Sequence, residues 1–170
     1  WIACPGMGID KIVAYQNIID SDVPITNAPS THVTSMADHV IGAMVGLTHR
    51  FEEASEDRRN KFWSTPKYAS RIIELTGTTV GIFGLGAIGR AVADRAAAFG
   101  TTTFAIDPGP ASVPASVREC WDLDRLDDLC RLSNFLVIAA PALHNTRNSI
   151  DARRIALMPA GSYIIVISRG

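Results

Sequence analysis

Glycines 84, 86 and 89 stand at the spacing GxGxxG in Gly84-Leu85-Gly86-Ala87-Ile88-Gly89, and a carboxylate, Asp107, closes the next apolar run. Residues of these types at this spacing can hold a dinucleotide. Gly84 permits a tight turn, Gly86 lets backbone approach a pyrophosphate, and Gly89 lets the following helix lie close to a sheet. The free N–H groups of Ala87 and Ile88, with the helix dipole behind them, would face the diphosphate. Asp107 could accept hydrogen bonds from both hydroxyls of the adenosine ribose. Its charge would repel a 2′-phosphate, and no Arg or Lys follows it before Arg118, so the expected cofactor is NAD rather than NADP. Each part also has a plainer reading: a strand-to-helix turn without ligand, and a carboxylate that caps the loop before Pro108. The glycine spacing alone is weak. The β-branched run ahead, the helical run behind and the acid beyond it together favour the dinucleotide.

These residues require a strand–turn–helix unit, and the flanking sequence predicts one. Residues 79–83 read as a buried strand, 87–99 as a helix closed by Gly100, and 102–106 as a second strand. A weak strand near Val117 and a helix over 123–132 follow. Beyond them come a strong strand over 135–140, a helix over 151–157 and a final strand over 163–167. Strands separated by helical segments predict a doubly wound parallel sheet, the α/β Rossmann arrangement. Upstream, residues 9–19 read as a helix and 23–26 as a brief strand. Met36, Val40, Ala43, Met44, Leu47 and Phe51 recur at helical spacing, which predicts one long helix over 36–59. Residues 60–70, with Trp63 and Pro66, read as an irregular connector. The expected division is 1–35 as part of a first domain, 36–70 as a linking helix and connector, and 71–170 as the dinucleotide domain.

Composition bounds the partners. At 47% hydrophobic and 19% charged residues the chain can bury a core. A formal net charge of −1 argues against nucleic acid and anionic membrane surfaces, which call for a basic surplus. Apolar runs are too short to span a bilayer. Cys4, Cys120 and Cys130 are odd in number and lack CxxC spacing, so neither a disulfide framework nor a metal site is expected, and a reducing cytoplasm is the simplest setting. The chain opens on Trp1 and closes on Gly170 directly after an apolar run, which reads as a piece cut from a longer protein.

The whole chain resembles the D-isomer-specific 2-hydroxyacid dehydrogenases. The likeness runs from Gly6-Met7-Gly8-Ile9-Asp10 through Asn27-Ala28-Pro29 and Ala37-Asp38-His39 to Glu74-Leu75-Thr76-Gly77 and the glycine turn. It continues through Ala98-Phe99-Gly100, Pro141-Ala142-Leu143 with Thr146, and Met158 before Gly161, and closes on Ser168-Arg169-Gly170. The resemblance implies a flavodoxin-like substrate domain ahead of the Rossmann unit. It implies substrate contacts from the amides of Met7 and Gly8, and cofactor contacts at Ala87, Ile88, Asp107, Ala140, Pro141, Ile167, Ser168 and Arg169. Arg169 falls on the family's catalytic arginine, whose guanidinium can hold a 2-keto acid in a fork and stabilise charge growing on its carbonyl oxygen. A homodimer built on the 36–59 helix and its connector is also implied. Val166, Pro159 and Asp38 depart from the usual Asn, Lys and Glu, and none of these touches the proposed chemistry.

The family's Glu and acid–base His fall beyond residue 170. His32, His39, His49 and His144 lack a carboxylate at a telling spacing, so no proton donor is expected within the chain, and the chain alone is expected to be inactive. The reading that follows is an NAD-dependent oxidoreductase acting on a small 2-keto or 2-hydroxy acid. Two others stay open: a non-catalytic NAD-sensing module like the family's corepressor branch, and a formate dehydrogenase.

Overall fold

Five runs become the parallel strands of one sheet, and helices cover both faces of its inner strands. In this computed structural model residues 1–6, 8, 12, 15–142 and 146–168 are described. The strands are β3 (Thr79–Phe83), β4 (Thr102–Ile106), β5 (Glu119–Trp121), β6 (Phe135–Ile138) and β7 (Tyr163–Val166), in the spatial order β5-β4-β3-β6-β7. All pair in parallel, and β3 lies at the centre, with Val80 opposite both Thr103 and Phe135. Strand order reverses there: the chain leaves β3 toward β4 and β5, then returns across β3 to β6 and β7. A doubly wound sheet opens a crevice at the carboxyl end of such a reversal, and the glycine turn follows β3 directly.

Alternation along the strands sorts the core into two layers. Val80, Ile82, Ala105, Phe135, Val137 and Ile165 face two helices, α2 (Val33–Thr48) and α5 (Ala87–Ala98). Gly81, Phe83, Phe104, Ile106 and Leu136 lie on the opposite face, against α6 (Leu126–Leu132). The α6 helix comes so close at Gly81 that a Cβ there would sit 2.0 Å from Ser133 Oγ. A short helix, α7 (Ala152–Ile155), is tied to α6 through Asp127, which accepts hydrogen bonds from Arg153 and Arg154 at 2.6–2.9 Å. The two guanidiniums hold the Asp127 carboxyl far below the usual carboxylate range.

The segment ahead of the sheet differs from the expectation. The predicted helix over 36–59 is two helices, α2 and α3 (Phe51–Arg59), broken at Arg50, whose φ of 57° and ψ of 38° are left-handed. Helical spacing counted Phe51 into the buried stripe, yet it is 56% exposed. The stripe ends instead at Thr48, whose hydroxyl donates to the Met44 carbonyl at 2.8 Å and whose own carbonyl accepts the Ile73 N–H at 3.2 Å. Periodicity cannot register one left-handed residue, so the break is invisible in the pattern. The connector is also less irregular than expected: Pro66 helps open α4 (Thr65–Ala69), and Lys67 and Tyr68 on it both bond Asp57 of α3. The helix assigned from sequence to a link puts Ala37, Val40, Ile41 and Met44 into the same core layer as the sheet.

Upstream, β1 (Ile2–Ala3) and β2 (Ile25–Thr26) form a separate two-stranded parallel sheet. The helix expected over 9–19 is interrupted at Tyr15, which is extended (φ −100°, ψ 100°), and α1 (Gln16–Ile19) begins after it, while residues 9–11, 13 and 14 lie outside the described residues. No helix among the described residues is long and apolar enough to cross a membrane.

Among the described residues one buried side-chain polar atom lacks a partner: the hydroxyl of Thr103, which is 1% exposed. An unsatisfied buried hydroxyl is destabilising, and valine replaces it with a methyl of the same shape. Thr103→Val should therefore raise stability by about 1 kcal/mol, read as a higher urea midpoint at unchanged slope. A lower midpoint would mean that the hydroxyl is satisfied in solution.

Candidate dinucleotide site

Two of the three glycines are required by the fold itself, and the third is not. Gly84 has φ +100°, and a Cβ on it would lie 2.5 Å from the backbone nitrogen of Ala140. Gly89 sits in the first turn of α5, where a Cβ would meet the Gly84 carbonyl oxygen at 2.2 Å. Both positions are closed by the protein itself. At Gly86 a Cβ would meet nothing within 4 Å, so the absence of a side chain there leaves open space above the turn. Gly84, Leu85 and Gly89 are buried, whereas Gly86 and Ala87 are exposed and form the crest.

The N–H groups of Gly86, Ala87 and Ile88 have no acceptor among the described residues. The first intrahelical bond is made by Arg90, whose N–H donates to the Gly86 carbonyl at 3.0 Å. Three unpaired donors at the positive end of a twelve-residue helix, beneath a space kept free of side chains, fit an anionic diphosphate.

Asp107 follows β4 and is half-buried. Its Oδ2 accepts the Leu85 N–H at 2.8 Å and its Oδ1 accepts the Gly109 N–H at 3.0 Å. Each oxygen keeps a lone pair, so the carboxylate is oriented by backbone and still able to accept ribose hydroxyls. The capping role read from sequence is present, and it leaves the carboxylate free to take the ligand role as well. On its outer side Asp107 shares a cleft of about 460 Å³ with Asp122, Asp124, Arg125, Trp121 and Cys120. The guanidinium of Arg125 lies 4.6 Å from the Trp121 ring and bonds Asp128. Burial, then the charge of Asp107, pushes the Cys120 thiol above its ordinary range.

Of the remaining predicted positions, Ala140, Pro141, Ile167 and Ser168 lie just past the carboxyl ends of β6 and β7. Ala140 lies behind Gly84, and Pro141 is the next residue. The N–H groups of Ile167 and Ser168 both donate to the Ile138 carbonyl, at 3.0 and 3.1 Å, which fixes the chain just past β7. Gly8 accepts a contact from the Cys4 thiol at 3.6 Å. Met7, Arg169 and His144 lie outside the described residues. Of the other histidines, His32 and His39 are exposed, and His49 packs edge-on against Phe51 at 6.0 Å between ring centroids. Among the described residues no cluster of His, Cys, Asp and Glu could hold a metal. Sequence reasoning missed Arg90, whose Nη1 donates to the Leu85 carbonyl at 3.1 Å. Its place just after Gly89 was visible, but its backward reach was not.

Comparison with known proteins agrees with this geometry. A family model described as D-isomer specific 2-hydroxyacid dehydrogenase, NAD binding domain, matches residues 41–170. D-3-phosphoglycerate dehydrogenase of Methanocaldococcus jannaschii is 30% identical over 168 residues, covering 97% of this chain and 31% of the relative. Hydroxypyruvate reductase of Thermotoga maritima is 32% identical over 169 residues, covering 99% of this chain and 53% of the relative. The chain thus spans between about a third and about half of these relatives. NAD-dependent formate dehydrogenase from Staphylococcus aureus, solved in complex with NAD, superimposes at a TM-score of 0.83 with 25% identity, over 99% of this chain and 49% of that one. With a matching family model over most of its length and the glycine turn in the expected strand–helix setting, the chain belongs to the D-isomer specific 2-hydroxyacid dehydrogenase family and carries its NAD-binding domain.

Proposed function

We propose that the whole protein to which this chain belongs transfers hydride between NAD(H) and a small 2-keto or 2-hydroxy acid. The observation that carries this reading is the open space over Gly86, floored by unpaired N–H groups and flanked by Asp107. Bound NAD supplies the hydride chemistry. The chain's own residues bind and orient: the turn amides take the diphosphate and Asp107 takes the ribose. Ala140, Pro141, Ile167 and Ser168 wall the carboxyl edge of the sheet. Arg169 and the amides of Met7 and Gly8 would hold the substrate carboxylate in a fork. Residues 1–35 are then part of a substrate domain, 36–70 a linking segment and 71–170 the cofactor domain.

A homodimer also belongs to this reading. Leu47, Phe51, Phe62 and Trp63 are all exposed on or beside the helices and connector expected to form the interface, Trp63 at 89%. Free thiols at Cys4, Cys120 and Cys130 suit a cytoplasmic setting.

Cofactor choice tests the reading. NADH should bind more tightly than NADPH, because a 2′-phosphate would meet the Asp107 carboxylate in a cleft that also holds Asp122 and Asp124, and whose cation, Arg125, is already bonded to Asp128. Unit charges about 4 Å apart repel by about 1 to 4 kcal/mol between water-like and protein-surface dielectrics. Titrating both nucleotides against the unmutated protein and Asp107→Ala measures it. Equal affinities in the unmutated protein would remove Asp107 from the ribose site.

A further inference from the structure

We infer that Arg90 is a positioning residue for the cofactor: its guanidinium fixes the Leu85–Gly86 peptide so that the Gly86 N–H faces the diphosphate. This rests on the NAD reading above and goes beyond it by naming what holds the turn in its binding geometry.

A trans peptide is planar, and its C=O and N–H point in opposite directions. Whatever grips the Leu85 carbonyl therefore aims the Gly86 N–H the other way. Arg90 Nη1 donates to that carbonyl at 3.1 Å. The same residue's backbone N–H donates to the Gly86 carbonyl at 3.0 Å, which aims the Ala87 N–H. One residue thus sets two successive peptide planes, and the two N–H groups they carry have no acceptor among the described residues.

The preceding peptide is held from the other side. The Leu85 N–H donates to Asp107 Oδ2 at 2.8 Å. Leu85, itself fully buried, is gripped at its N–H by an anion and at its C=O by a cation. Gly86 makes such a grip necessary. With no Cβ and nothing within 4 Å of where one would stand, steric contact does not stop the Leu85–Gly86 peptide from turning over. A flipped peptide would present a carbonyl oxygen to the diphosphate in place of a donor. Arg90 is half-buried and has no carboxylate partner among the described residues, so its other N–H groups are not committed to an ion pair.

The test uses Arg90→Met, which keeps length and loses the donor, and Arg90→Lys, which keeps a donor. Thermal unfolding confirms that each variant is folded. In the ligand-free protein, amide NMR of Arg90→Met should show the Leu85, Gly86 and Ala87 signals shifted or exchange-broadened, with Arg90→Lys closer to the unmutated spectrum. ADP-ribose and NADH should each bind Arg90→Met about tenfold more weakly, as expected for one charge-assisted hydrogen bond, and Arg90→Lys should recover part of the loss. An unchanged ligand-free spectrum in Arg90→Met would overturn the proposal even if affinity fell, because a simple counter-charge would act only when phosphate is present. Unchanged affinity for ADP-ribose would overturn it as well. If the unmutated protein bound neither ligand while the spectral change appeared, the clamp would stand as a structural fact and the NAD reading would fail.

Discussion

Gly86→Val should leave the chain folded and lower its affinity for NADH by more than about a hundredfold. The fold has no reason to object: φ and ψ at Gly86 are −69° and −167°, an extended conformation open to any residue, and a Cβ there meets nothing within 4 Å. The ligand does. Two branched methyl groups would stand over the N–H groups of Gly86, Ala87 and Ile88. Losing two charge-assisted hydrogen bonds at about 1.5 kcal/mol or more each amounts to about 3 kcal/mol, which exceeds a hundredfold. Gly84→Ala and Gly89→Ala should behave oppositely, failing first in stability. Alanine at Gly84 would combine a φ of +100° with a 2.5 Å approach to Ala140 nitrogen, and alanine at Gly89 would press 2.2 Å from a carbonyl oxygen. Left-handed strain of about 1–2 kcal/mol and overpacking of about 1–3 kcal/mol place the Gly84 variant about 2–5 kcal/mol below the unmutated protein. Urea unfolding and NADH fluorescence titration on the same three variants read both quantities. Normal NADH binding by Gly86→Val would place the diphosphate somewhere other than this turn.

The contrast explains why the turn was readable from sequence while other features were not. A glycine demanded by positive φ, a glycine demanded by close approach and a glycine that only leaves open space above the turn leave the same letter. Their spacing after a β-branched run leaves the unit little other conformation. The parallel sheet was equally legible, since runs such as Phe135-Leu136-Val137-Ile138 are apolar on both faces, as a strand covered on both sides must be. The break at Arg50 left no such mark. It depends on one left-handed residue, on Thr48 turning its hydroxyl back to Met44, and on Ile73 bonding the Thr48 carbonyl from 25 positions away (73 − 48). The Asp127 link to Arg153 and Arg154 likewise joins two helices across a strand and a loop, and no periodicity records a contact of that kind. Arg90 is the most instructive omission. Its side chain runs back toward the amino end of its helix, as helical side chains do, and that direction brings it to Leu85. The rule was available; the significance of a carbonyl at that point was not, because only the folded turn shows which peptide a free-moving glycine leaves unsecured.

In the whole protein, Arg169→Lys should lose turnover by about a hundredfold or more while NADH affinity stays close to normal. The resemblance assigns Arg169 the forked grip on a 2-keto acid, and the described chain leads up to it. Ile167 and Ser168 each donate their N–H to the Ile138 carbonyl, so β6 holds the backbone just ahead of Arg169 at the carboxyl edge where the site lies. Lysine keeps the charge and therefore much of the long-range attraction for a carboxylate. It loses the planar pair of donors that fixes the carboxylate's rotation, and a displacement of about 1 Å at a reacting carbon is enough to cost about a hundredfold in rate. On the proposed reading cofactor binding draws mainly on the turn amides and Asp107, which the substitution does not alter, and lysine keeps the charge of any cofactor contact that Arg169 makes. Steady-state turnover over a panel of 2-keto acids, with NADH titration of the same preparations, separates the two effects. Near-normal turnover by Arg169→Lys would show that a different group carries the substrate's charge, and a parallel fall in NADH affinity would move Arg169 from the substrate's side of the site to the cofactor's.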